Sequence, residues 1–93
     1  MFLFSESCHV EVGTNYCGYD IADPIVGVCT RKECKIRCQN NDKCQFWTYG
    51  KWNVNDDVTH CHLKSSDLGR ESYPGLASGT KYCRKLNLNI SKC

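Results

Sequence analysis

The sequence contains little proline, little glycine and no long apolar run. Two prolines and seven glycines in 93 residues exclude a collagen-like chain, which needs glycine at every third position and abundant proline. No segment approaches the roughly 18 apolar residues of a membrane-spanning helix, so we expect no membrane insertion. Twelve basic and ten acidic side chains leave a formal charge of +2, an excess too small to indicate a nucleic-acid partner.

The motifs of common catalytic and zinc sites are also missing. The nearest approach to a Gly-x-Ser-x-Gly nucleophile elbow is Gly75–Gly79, where the serine has the wrong position. His60 and His62, with the cysteines of the middle third, could supply zinc ligands. Their spacing, however, departs from the paired C-x2–4-C arrangement of structural zinc sites. We therefore expect no enzymatic activity, no metal and no cofactor.

Cysteine, by contrast, is abundant, with nine in 93 residues. This level in a short chain is typical of a disulfide scaffold in a secreted protein. A chain of this length buries only about 60–65% of its unfolded surface, so covalent bridges add needed stability. Residues 1–7 are too short for a signal peptide and lack its basic start. We interpret the chain as one domain of a larger secreted protein.

A helix is predicted to begin at Thr30. The Thr30 hydroxyl can accept the backbone N–H of Glu33, and Glu33 can reach back to the cap, as in a capping box. The polar run Gln39–Asp42 ends the helix, which is expected over about residues 31–40. Cys34 and Cys38 are four residues apart and therefore share one helix face.

Short β-rich runs surround this helix, separated by turn residues. Strands are predicted at Val10–Val12, Ile25–Val28, Cys44–Tyr49, Thr59–Lys64 and Gly79–Cys83. Ser65–Gly69 and Tyr73–Gly75 are typical of turns. One helix with four or five short antiparallel strands indicates an α+β domain.

Local structure narrows the pairing of the cysteines, for which on the order of 1,000 arrangements exist. Cys44 begins a strand close to the helix end, so a Cys38–Cys44 bridge would close a tight turn. Cys61, inside the following strand, is the natural partner of Cys34. Cys8 and Cys83 bracket the rest of the domain and would tie its two ends together.

The order of these motifs resembles the PAN/apple family. The resemblance covers residues 8–83 and rests on C-x3-C-x5-C, Phe46-Trp47-Thr48-Tyr49, Cys61-His62-Leu63-Lys64 and Gly79-Thr80-Lys81-Tyr82-Cys83. It implies a single helix packed on a curved antiparallel sheet of about five strands. It also implies the bridges Cys8–Cys83, Cys34–Cys61 and Cys38–Cys44. Residues 1–7 would then be a leader or linker, and residues 84–93 a linker toward a possible next repeat.

Three cysteines are additional to this six-cysteine pattern. Cys17 and Cys29 flank a stretch with glycine and proline that could fold back on itself, so we predict a fourth bridge between them. Cys93 is left as a free thiol whose natural partner would lie in neighbouring sequence. The added pair and Tyr19-Asp20-Ile21 are similar to tandem apple domains of microneme adhesins from apicomplexan parasites.

The resemblance implies a non-catalytic adhesive module of a secreted or microneme protein. Its expected partners are a host-cell surface protein or glycan and neighbouring domains of the same chain, bound through several tandem copies. One alternative is a regulatory or assembly module of a secreted serine-protease zymogen. Another is a structural spacer between binding repeats.

Two sets of residues are candidates for ligand binding. The first is the loop with Lys51, Trp52, Asn53 and Asp56, because a tryptophan beside polar groups can stack on a sugar or anchor a protein contact. The alternative interpretation is that Trp52 extends the strand and covers the edge of the core. Trp47 and Tyr49 are expected in the core itself.

The second set is basic and lies on the helix: Arg31, Lys32 and Lys35, with Arg37 nearby. Such a cluster could bind a sulfated glycan or an acidic surface. The alternative is an ordinary solvated helix face.

Overall fold

The computed structural model describes residues 4–7, 10–53, 55, 57–82 and 84–87, with only the backbone of 4–7 and 84–87. The elements in chain order are β1 (Phe4–Ser7), β2 (Val10–Tyr16), β3 (Ile25–Val26), α1 (Arg31–Gln39), β4 (Phe46–Gly50), β5 (His60–Lys64), β6 (Arg70–Thr80) and β7 (Arg84–Asn87). Five strands form an antiparallel sheet in the order β2-β6-β4-β5-β3, and β1 pairs separately with β7. The predicted α+β class is confirmed.

The helix forms where its capping residues predict it. Thr30 Oγ1 accepts the backbone N–H of Glu33 at 3.1 Å. Glu33 reaches back one residue further than a standard capping box and accepts the N–H of Cys29 at 3.5 Å. The helix ends at Gln39, with Asn40 as its C-cap. In the part of the chain that the structure describes, no helix is long and apolar enough to cross a membrane.

Two disulfides fasten α1 to the sheet. Cys34 is bonded to Cys61 of β5, and Cys38 to Cys44 just before β4. All four cysteines are fully buried, and both pairings are the predicted ones. They share the core with Val28, Trp47, Tyr49 and Leu63, so the core positions predicted for Trp47 and Tyr49 are confirmed.

The opposite sheet face has a buried polar centre. Thr48 Oγ1 and Ser78 Oγ lie 2.6 Å apart on adjacent strands. Thr48 Oγ1 also accepts the N–H of Tyr16, and Ser78 Oγ donates to the Thr14 carbonyl. The two hydroxyls are therefore satisfied inside the fold, which removes the main cost of burying them.

The predicted turn at Tyr73–Gly75 is wrong, because these residues lie within β6. On both sides of them β6 pairs with β2, and the register shifts between Val12, opposite Ala77, and Thr14, opposite Ser72. Arg70, opposite Tyr16 beyond the shift, reaches back across it and binds both carboxylate oxygens of Glu11 at 2.9 Å. The turn-forming residues therefore produce a bulge instead of reversing the chain.

The predicted Cys17–Cys29 bridge is also wrong, since both residues are exposed free thiols. The chain between them does not fold back but runs antiparallel along β5, with Asp20 opposite Lys64 and Val26 opposite His60. The two cysteines thus lie beyond opposite ends of a strand about 13 Å long. A disulfide needs Cα atoms within about 7 Å of each other.

The remaining cysteine predictions fall outside the described residues. Cys8, Cys83 and Cys93 are all in this group, so the Cys8–Cys83 bridge and the Cys93 thiol stay predictions. β1 and β7 lie in the two segments that were predicted as linkers, and they pair from Phe4 opposite Asn87 to Ser7 opposite Arg84.

Candidate functional site

An open groove lies at the end of the sheet where β4 terminates. Its volume is about 480 Å³, within the range of about 300–1,000 Å³ typical of small-ligand sites. Strands β2, β4 and β6 and the first residue of α1 contribute its walls. The lining residues are Val12, Gly13, Arg31, Tyr49, Gly50, Pro74, Gly75, Leu76 and Ala77.

The close approach of two glycines shapes this end of the sheet. Gly50 has φ +144°, a conformation that side-chain-bearing residues rarely adopt. A Cβ atom at Gly50 would lie 2.1 Å from the Gly75 carbonyl oxygen. The end of β4 therefore contacts the β6 bulge directly, and the groove lies between backbone and apolar side chains.

The predicted loop residues lie beside this groove. The N–H of Lys51 donates to the Gly75 carbonyl at 3.3 Å, so the loop begins against the groove wall. The side chains of Lys51 and Asn53 are exposed. Asp56 lies outside the described residues. Of the four predicted loop residues, Lys51 is therefore accessible next to the groove, and Asn53 is accessible two residues further along the loop.

Trp52 has an internal role in the same loop. It is half-buried, and its Nε1–H donates to His62 Nε2 at 2.7 Å. Its ring also meets the rings of His62 and Tyr73 edge-on, and the Tyr73 hydroxyl donates to its carbonyl at 2.9 Å. β4 ends at Gly50, so Trp52 does not extend the strand, but it does cover residues of the sheet. Its contacts fix the loop that presents Lys51 and Asn53.

His62 belongs to a buried polar cluster that the sequence did not reveal. Lys64, only 2% exposed, binds the Asp20 carboxylate at 2.7 Å, and His62 Nδ1 lies 3.8 Å from the same oxygen. Burial, with a smaller contribution from the Lys64 charge, lowers the pKa of His62 to about 4. The imidazole is therefore neutral at pH 7, and its Nε2 can accept the Trp52 N–H. His60 and His62 do share one strand face, as predicted, with ring centroids 6.1 Å apart.

Acidification is expected to destabilise the fold through His62. The folded pKa is about 4 and the ordinary value is 6.5, so the unfolded chain binds a proton first as the pH falls. The contribution of neutral His62 to the unfolding free energy is therefore complete above pH 6.5. It falls by about 3 kcal/mol as the pH drops from 6.5 to 4. Urea unfolding across this pH range measures the effect.

A His62→Gln variant provides the matched comparison, because glutamine can still accept the Trp52 N–H but does not titrate. Its unfolding free energy should change less between pH 6.5 and 4 than that of the unmodified chain. His60→Gln, on the same strand face, serves as the control variant. An equally steep acid loss in His62→Gln would show that His62 is not the responsible group.

The basic helix residues lie on different sides of α1. Arg31 lines the groove, and Lys35, one turn later, continues the same flank. Lys32 is exposed on the outer surface. Arg37 lies on the other flank, where it forms an ion pair with Glu33 at 3.3 Å. The structure thus brings Arg31 to the groove that Lys51 adjoins, while Arg37 is separate.

In the sequence, the loop and the helix cluster are two separate candidate surfaces. Neither carries a signal of the groove between them, because its walls come from three strands and a helix distant in sequence. Comparison with models of known protein families gives no match, and a search of curated proteins finds no relative.

Proposed function

We propose that this chain is a non-catalytic adhesive module of the PAN/apple type from a secreted protein. The helix on a five-stranded antiparallel sheet is compatible with that fold. The bridges Cys34–Cys61 and Cys38–Cys44 are two of the three that the family resemblance implies. The third, Cys8–Cys83, remains part of the proposal.

The observation that carries the binding role is the meeting of two candidate surfaces at one groove. Arg31 from the helix lines the groove, and Lys51 from the loop contacts Gly75 in its wall. Disulfide-held elements keep this surface in place, and accessible loops on a rigid scaffold suit recognition. By contrast, His62 and Lys64, which could do acid–base chemistry, are buried and engaged in internal contacts.

The proposed partner is a protein or glycan on a host-cell surface. Tandem copies of the module in the parent protein would gain avidity through multivalency, so the affinity of each single copy can be low. A microneme origin follows from the resemblance to parasite adhesins and belongs to the same proposal.

Binding of streptavidin-linked tetramers of the module to host cells tests this function, since the tetramer supplies the avidity. Flow cytometry should detect binding, and Lys51→Glu or Arg31→Glu should each weaken it about tenfold, as expected for loss of a contact worth about 1.4 kcal/mol. A glycan array with the same tetramers separates sugar from protein partners.

Lys43→Glu is the matched control for these charge reversals. Lys43 is exposed and precedes the start of β4, whereas the groove lies at the other end of that strand. Equal binding by all three variants would remove the groove end as the adhesive surface. Absence of binding to cells and to the array would favour the spacer role.

A further inference from the structure

We infer that the groove at the end of β4 binds a peptide segment of a protein partner in which an apolar side chain lies next to a carboxylate. This inference rests on the proposed binding function and specifies its ligand. It follows from the lining of the groove, from the placement of one cation at its edge and from the sheet edge that forms one wall.

The lining of the groove indicates that the ligand presents an apolar side chain. Val12 is 74% exposed although it lies in a strand, and it stands beside Tyr49, Leu76 and Ala77 in the groove. Pro74 adds further apolar surface. A ligand side chain resting here would remove Val12 from water, which is the usual source of affinity in such sites.

The positive charge at the groove indicates that the ligand carries a carboxylate. Arg31 is the cationic residue in the described lining of the groove, and its long, flexible side chain can bring the guanidinium to a carboxylate, which a guanidinium holds by two parallel hydrogen bonds. Glu33, the acidic residue in the first turn of α1, does not neutralise this side because it pairs with Arg37 on the other flank.

The sheet edge favours a peptide over a sulfated glycan. β2 is an outer strand of the five-stranded sheet. The wall at Val12, just before the backbone bends at Gly13 with φ +71°, is therefore also a strand edge, to which an extended peptide backbone can add. A sulfated glycan carries many charges and few apolar groups. It would need several cations and polar walls, whereas the described lining of the groove holds one arginine among apolar residues and glycines.

An NMR titration of the ¹⁵N-labelled, oxidised chain tests this ligand class with two small probes. N-acetylphenylalanine carries the apolar ring and the carboxylate, whereas N-acetylphenylalanine amide carries the ring alone. The acid should shift the amide signals of Val12, Gly13 and Leu76 and bind at least tenfold more tightly than the amide. Arg31→Gln should abolish this difference, and Lys43→Gln should keep it.

Other outcomes would overturn the inference. Equal affinity for acid and amide, or shifts confined to residues outside the groove, would show that the groove does not recognise a carboxylate. If a heparin tetrasaccharide shifts the amide signals of the groove residues and neither phenylalanine probe does, the ligand is a sulfated glycan. In either case the adhesive function still stands if the tetramers bind cells. Conversely, acid-selective binding with no cell binding would retain the ligand class and reject the host-cell role.

Discussion

Replacing both Cys34 and Cys61 with alanine should remove most of the stability of the domain. The bridge spans 27 residues, and the loop-entropy relation gives it about 3.6 kcal/mol. A domain of this size has roughly 5 kcal/mol in total. Both sulfurs are fully buried, so their removal also leaves unfilled space between α1 and β5, which adds to the loss.

The second disulfide provides the matched comparison. The Cys38–Cys44 bridge spans only six residues, so replacing both of its cysteines with alanine should lower the unfolding free energy by less, about 2.2 kcal/mol. Urea unfolding followed by tryptophan fluorescence measures both, since Trp47 lies in the same core. A larger loss in the short-loop variant would contradict loop entropy as the main contribution of these bridges.

The parts of the fold that sequence predicts well depend on neighbours in the chain. Thr30 and Glu33 define the helix start within one turn. The spacing of Cys34 and Cys38 then places both on the face toward the sheet. Such features need no knowledge of the rest of the molecule, because the helical repeat alone determines them.

The parts of the fold that were predicted wrongly depend on strand pairing between residues distant in sequence. Gly18 and Pro24 suggest a stretch that folds back, but Ile21 donates its N–H to Leu63 and Asp20 binds Lys64. These contacts with β5 hold the stretch extended and keep Cys17 away from Cys29. In the same way, pairing with β2 keeps Tyr73–Gly75 inside a strand despite its turn composition.

The candidate site likewise combines features that local sequence predicts with features that depend on long-range packing. The loop at Lys51 and the basic helix start at Arg31 were recognisable by residue type. Their common groove follows from the sheet order, which places β6 between β2 and β4. The Trp52–His62 hydrogen bond likewise requires the chain to turn after Gly50 and return over β5, which no local pattern indicates.

Gly50→Ala should be among the most damaging single substitutions in the domain and should disturb the groove at the same time. An added Cβ would meet the backbone carbonyl oxygen of Gly75 at 2.1 Å, at a position with φ +144°. Backbone strain and overpacking together should cost about 4 kcal/mol. Urea unfolding gives the stability change, and far-UV circular dichroism shows whether the variant folds.

Two other glycines separate the contributions to this loss. Gly18 has φ +75° with nothing within 4 Å of an added Cβ, so Gly18→Ala measures conformational strain alone, about 1 kcal/mol. Gly69 has no positive φ, but its Cβ would meet the Cys17 carbonyl oxygen at 1.9 Å, so Gly69→Ala measures the clash. Gly50→Ala should exceed Gly18→Ala, because it adds a backbone clash to the conformational strain. If Gly50→Ala lowers the unfolding free energy no more than Gly18→Ala does, β4 and the β6 bulge can move apart at little energetic cost. The groove would then lack the rigid wall on which its ligand recognition depends.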